Sequence, residues 1–131
     1  MATDKRKKIL VVDDSKIERE LLIEILKGFG ITNDFFLAEN GEKAIEILEL
    51  YYRQICLILL DWKMPGMSGL ELMEAIMKTS PLSNIPIVMI TIYGSAQHKM
   101  QARQVNPALA GYIVKPYSVE ALTKEIKTYL E

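Results

Sequence analysis

The chain has 131 residues, close to the usual size of one domain, and half of them are hydrophobic, enough to bury roughly two-thirds of the surface that an unfolded chain exposes. Sixteen Lys and Arg against 17 Asp and Glu leave a net charge of -1, which supplies no overall field for nucleic acid or an anionic membrane. No apolar run approaches the roughly 18 residues of a membrane span, and Met1 leads into charged residues instead of an apolar signal core, so the expectation is one cytosolic domain over 1–131, with its core at about 9–130.

The basic run Lys5 to Lys8 reads as a solvated lead-in to a strand, with a nucleic-acid arm as the weaker alternative. The first apolar run, residues 9–12, ends in Asp13-Asp14. Ser15 then caps a helix whose stripe is Ile17, Leu21, Leu22, Ile25 and Leu26, stopped at Gly28. A second run, 35–38, ends in Glu39-Asn40, which is loop polarity, and the helix from about 41 to 52 turns Ala44, Ile45, Leu48 and Tyr51 inward. The third run, 56–60, ends in Asp61 and contains the only cysteine, Cys56, read as a small buried hydrophobe. A helix over about 68–78 buries Leu70, Met73 and Met77, and Pro81 and Pro86 enforce a loop. The fourth run, 87–90, ends in Thr91; its helix, about 95–104, is mostly polar, with Ala96, Met100 and Val105 as its stripe. That helix carries the single histidine, His98, read as an exposed helix residue and not a ligand. The fifth run, 112–114, ends in Lys115-Pro116, and the last helix opens at Ser118 with Leu122, Ile126 and Tyr129 inward.

Five strand-helix units without an internal repeat or linker predict an α/β, doubly wound parallel sheet with five helices, its first, third and fourth strands buried on both faces. In such a sheet ligands bind at the carboxyl ends of the strands, which is where Asp13, Asp14, Asp61, Thr91 and Lys115 fall. Each has an ordinary structural explanation by itself: an N-cap, a turn residue, a strand residue, a surface charge. Their joint occurrence at strand ends does not. Three converging carboxylates repel one another unless a hard divalent cation relieves them, and an oxygen-only ligand set suits Mg²⁺, whereas zinc would need thiols or imidazoles that are lacking.

The stretches Ile-Leu-Val-Val-Asp13-Asp14-Ser15, Leu-Leu-Asp61-Trp-Lys-Met-Pro65-Gly-Met-Ser-Gly69, Val-Met-Ile-Thr91 and Gly-Tyr112-Ile-Val-Lys115-Pro116, in this order, resemble the receiver domains of two-component response regulators, like the bacterial chemotaxis regulator. The resemblance implies a flavodoxin-like five-stranded sheet of order 2-1-3-4-5. It implies that Asp61 accepts a phosphoryl group from a partner's phosphohistidine, on a histidine kinase or a phosphotransfer protein. Asp14, Asp61 and the Lys63 backbone carbonyl would bind Mg²⁺, with Asp13 acting through water. Thr91 and Lys115 would hold phosphoryl oxygens, Thr91 with Tyr112 would form the switch, and the Lys115-Pro116 bond would be cis. Output would be docking to a downstream protein at the face of the fourth helix, fifth strand and fifth helix. The chain would be a stand-alone switch that promotes its own phosphorylation and dephosphorylation, and not an enzyme with an external substrate; a chemotaxis effector and a phosphorelay intermediate both fit.

Two departures stand out: the bulky Ile92 after Thr91, with Lys63 and Tyr93 near the same mouth, and Pro107 in the lead-in to the fifth strand. Two other function classes compete. A receiver-like scaffold that works without phosphorylation is disfavoured by the intact Asp14, Asp61, Thr91 and Lys115 set. An FMN-binding flavodoxin is disfavoured because acidic Asp13-Asp14 follows the first strand, where a phosphate loop would be needed. Gly28-Phe29-Gly30 lies at a helix end and is explained as a C-cap, not a dinucleotide fingerprint.

Overall fold

A computed structural model describes residues 8–130. The strands are β1 (Lys8–Val12), β2 (Asp34–Ala38), β3 (Ile55–Leu60), β4 (Ile87–Thr91) and β5 (Gly111–Val114), and the helices are α1 (Lys16–Gly28), α2 (Gly41–Tyr51), α3 (Gly69–Met77), α4 (Ala96–Val105) and α5 (Val119–Lys127). All neighbouring strands pair parallel, as the apolar runs predict, in the order β2-β1-β3-β4-β5 that the resemblance implies. Residues 5–7 of the basic run, and the nucleic-acid arm considered for them, lie outside the described residues; Lys8 opens β1 with its ammonium 4.9 Å from the Phe36 ring centre.

Alternation along the central strands divides the core into two layers. Leu10, Val12, Ile58, Leu60 and Met89 pack against α2, α3 and α4. Their sequence neighbours Ile9, Val11, Leu57, Leu59, Val88 and Ile90 pack against Leu22 and Leu26 of α1 and Leu122 and Ile126 of α5. Both faces of β1, β3 and β4 are therefore apolar, which is why these strands read as uninterrupted hydrophobic runs. Each helix starts on a side chain that accepts a backbone N–H: Ser15, Asn40, Ser68, Ser95 and Ser118, with a full capping box between Ser68 and Glu71. Those caps set where the chain leaves each strand end.

Several predicted inward positions face out. In α1 only Leu22 and Leu26 are buried, whereas Ile17 is 76% exposed and Leu21 45%. At 3.6 residues per turn Ile17 lies about half a turn round from Leu26, so the sheet cannot cover both. In α2, Tyr51 is exposed and stacks on Phe36, and Ile47 takes the buried place beside Ala44 and Leu48. In α3, Leu72, Met73 and Ile76 are buried, while Leu70 and Met77 are half-buried. In α4 the buried residue is Ala102; Ala96 and Met100 are exposed. Cys56 is half-buried, its Sγ 3.4 Å from the Lys8 carbonyl oxygen. The Lys115-Pro116 bond is cis, as expected, and so is Ser80-Pro81.

Candidate functional site

The carboxyl ends of β1, β3 and β5 are each extended by one further ladder bond beyond the strand. The Asp13 N–H bonds the Ala38 carbonyl, the Asp61 N–H bonds the Val12 carbonyl, and the Lys115 N–H bonds the Thr91 carbonyl, at 3.1, 3.0 and 2.8 Å. The backbones of three site residues are thus fixed by the sheet itself, before any side chain acts. Asp13 is pinned further: its Oδ1 accepts the Ser15 N–H at 2.9 Å and its carbonyl accepts Arg19 Nη1 at 2.6 Å. Asp61 Oδ1 accepts the Trp62 N–H at 2.7 Å, which leaves Oδ2 turned to Lys115.

Behind Asp61 the first residue of α3 must be glycine. The Gly69 N–H donates to the Trp62 carbonyl at 2.7 Å, and a Cβ on Gly69 would sit 2.0 Å from the Asp61 carbonyl oxygen. The capped end of α3 therefore buttresses the Asp61 turn by direct backbone contact. This role is not visible in the sequence, because it depends on which loops meet across the sheet.

Carboxylate oxygens of Asp13, Asp14 and Asp61 lie within 4.8 Å of one another. Asp13 and Asp61 are almost covered, with side chains 12% and 11% exposed, and Asp14 is exposed. Lys115 Nζ stands 3.1 Å from Glu18 Oε1, 3.4 Å from Asp13 Oδ2 and 3.5 Å from Asp61 Oδ2. Burial raises the Asp61 carboxyl above the ordinary carboxylate range; Lys115 opposes the shift and Asp13 adds to it. Burial disfavours the charge on Lys115, but Asp61, Asp13 and Glu18 together hold its ammonium above the usual lysine range. A cleft of about 420 Å³ opens over this cluster, lined by Asp13, Asp14, Asp61, Lys63, Ile92 and Lys115 among others. The donor set at its floor is oxygen only and carries three like charges, which fits a hard divalent cation with room left for water.

Thr91 is fully buried at the end of β4, and its Oγ1 accepts the Tyr93 N–H at 3.2 Å. Tyr112 on β5 donates its hydroxyl to the Tyr93 carbonyl at 2.5 Å, so that hydroxyl is engaged by protein and not left in water. Thr91 and Tyr112 are thereby joined through one residue, the Tyr93 peptide. The Tyr93 ring stacks on His98 at 4.7 Å, and both rings meet Trp62 edge-on, at 5.6 and 5.2 Å. His98 is half-buried in this cluster, contrary to the exposed position expected for it. Ile92 is 58% exposed at the rim of the cleft.

A sequence model of the response regulator receiver domain matches residues 9–127. The chain is 31% identical over 124 residues to the chemotaxis protein CheY of Pseudomonas aeruginosa, which spans 95% of this chain and 96% of that protein. Among solved structures, the Vibrio cholerae chemotaxis protein CheY4 superposes with a TM-score of 0.81 at 29% identity, covering 94% of this chain and 98% of its own. A response regulator receiver protein from Pseudomonas putida does so with a TM-score of 0.83 at 26% identity, covering 98% and 99%. With the strand order, the acidic cluster at the strand ends and the covering lysine in place, the chain belongs to the response regulator receiver domain family of two-component signalling.

Proposed function

We propose that residues 1–131 form a single, stand-alone receiver domain that takes a phosphoryl group onto Asp61 from the phosphohistidine of a kinase or phosphotransfer protein and signals by phosphorylation-dependent protein binding. The observation that carries this reading is the placement of the Asp61 carboxylate at the floor of an open cleft, with two further carboxylates within 4.8 Å and the Lys115 ammonium at 3.5 Å. No helix among the described residues is long and apolar enough to cross a membrane, in keeping with work in the cytoplasm beside a kinase.

In the transfer, an Asp61 carboxylate oxygen attacks phosphorus; the P–O bond forms as the P–N bond to the donor imidazole breaks, and that nitrogen leaves with the electron pair and regains a proton. Asp14, Asp61 and the Lys63 carbonyl would hold Mg²⁺, with Asp13 acting through water, and the bound ion would supply positive charge to offset that of the phosphoryl oxygens. Lys115 pairs with another of those oxygens, and Thr91 donates its hydroxyl to a third. Catalysis is then positioning and charge neutralisation within the chain's own switch, with no external substrate turned over. The hydroxyl movement of Thr91 passes through Tyr93 to Tyr112, and from there to the face of α4, β5 and α5 that meets the downstream target.

Trp62, the only tryptophan, is buried and donates its backbone N–H to Asp61 Oδ1, so its fluorescence tests the metal part of the reading. Mg²⁺ titration should change it, and Asp14→Ala should raise the half-saturating concentration by about 10- to 100-fold. An identical curve for Asp14→Ala contradicts the assigned ligand set.

A further inference from the structure

The shortest ion pair in the site involves a residue outside the family's phosphorylation set. Glu18, in the first turn of α1, reaches Lys115 Nζ at 3.1 Å, closer than Asp13 at 3.4 Å or Asp61 at 3.5 Å. An ammonium has three N–H donors and no more. Lys115 donates to Asp13 Oδ2 and Asp61 Oδ2 and is ion-paired most closely with Glu18, so three carboxylates compete for one ammonium before a phosphoryl oxygen arrives.

One partner has to leave when the phosphoryl group arrives, and the three differ in how readily they can. Asp61 becomes the acyl phosphate itself. Asp13 is held by the Ser15 N–H and by Arg19 on its carbonyl, with its side chain 12% exposed. Among the described residues Glu18 has no second side-chain anchor, and its side chain is 43% exposed, so water can take over its carboxylate at little cost. It lies at the rim, where the open cleft over Asp61 meets the groove lined by Leu21, Ile25 and Tyr117.

We propose that Glu18 is a displaceable placeholder for the phosphoryl group: it pairs with the Lys115 ammonium in the resting state and is released on phosphorylation, so that it sets how readily the site charges. This rests on the reading of Lys115 as the phosphoryl-pairing cation. Glu18 is a positioning residue acting through Lys115, and its negative charge also repels the incoming anion. Its removal frees a donor where the anion binds.

Beryllium fluoride with saturating Mg²⁺ is the probe, titrated by calorimetry into wild type, Glu18→Gln, Glu18→Ala and Glu20→Gln. Glu20 is on the same helix, 62% exposed and, among the described residues, paired only with Lys16 at 4.0 Å, so its variant changes net charge equally without touching Lys115. Both Glu18 variants should bind the probe about two- to fivefold more tightly, the size expected on losing an exposed competing ion pair, while Glu20→Gln stays at the wild-type value. Phosphorylation by acetyl phosphate should accelerate in the same two variants. Glu18 variants that bind no more tightly than Glu20→Gln overturn the placeholder while wild-type binding leaves the phosphorylation reading intact. Absence of beryllofluoride binding to folded wild type overturns both.

Discussion

Replacing Gly69 by Ala tests how closely the reactivity of Asp61 depends on the backbone beneath it. The added Cβ would lie 2.0 Å from the Asp61 carbonyl oxygen, 2.8 Å from Trp62 Cα and 2.9 Å from the Asp61 carbonyl carbon, whereas ordinary contacts begin at 3.4 Å. All three atoms are backbone, so no side-chain rotation relieves the clash. Either the first turn of α3 or the Asp61 turn must shift by about an ångström, and the 2.7 Å bond from Gly69 N–H to the Trp62 carbonyl couples the two. Overpacking of this kind costs about 1–3 kcal/mol of stability, which a domain of ordinary stability, about 5–15 kcal/mol, survives. A displacement of about 1 Å at a reacting group costs about 100-fold in rate, or about 2.7 kcal/mol of barrier. Acyl phosphate formation from acetyl phosphate and Mg²⁺, normalised to the folded fraction from urea unfolding, should therefore slow by about 30- to 100-fold in Gly69→Ala. Gly28→Ala is the control, because nothing lies within 4 Å of its added Cβ. A folded Gly69→Ala protein that labels within about threefold of wild type refutes the buttress argument.

Two other predictions concern the switch and the charge at Asp61. Tyr112→Phe deletes the hydrogen bond to the Tyr93 carbonyl and should lower stability in urea by about 0.5–1.5 kcal/mol. That deficit should shrink in beryllofluoride and Mg²⁺, where the switched state has already given up the bond; a deficit of the same size in both states places the switch elsewhere. Burial, working against Lys115, raises the Asp61 carboxyl, so the folded chain binds this proton more tightly than the unfolded chain and metal-free stability falls as pH rises through the folded value. Asp61→Asn should accordingly melt higher than wild type near pH 7 in chelator, and this advantage should vanish in acid, where both side chains are uncharged. Equal or lower melting of the variant near pH 7 contradicts the raised carboxyl.

The strand ends were legible in the sequence because a buried parallel strand is an apolar run, and the first polar residue after it stands at the sheet's edge by necessity. Asp13, Asp61, Thr91 and Lys115 are located by that rule alone; the structure brings Asp13, Asp61 and Lys115 to one cleft and buries Thr91 at the end of β4. Helix faces were less legible. Ile17 and Met100 are apolar residues on sides that no element covers, and hydrophobicity does not say how wide a stripe the neighbours will bury. By periodicity Glu18 is a polar residue outside the α1 stripe and nothing more; its meaning comes from Lys115, 97 positions away in the chain and adjacent only after folding. The burial of His98 is hidden in part for the same reason, since one of its ring partners, Trp62, is 36 positions away in the chain.

Locating the phosphoryl group tests the central claim most directly. The protein, incubated with acetyl phosphate and Mg²⁺, should gain one phosphoryl group that survives acid and is lost in base, and peptide mapping by mass spectrometry should place it on Asp61. Asp61→Asn should abolish the label while remaining folded. A label that persists in Asp61→Asn, or that maps to another residue such as Ser68, would contradict the account.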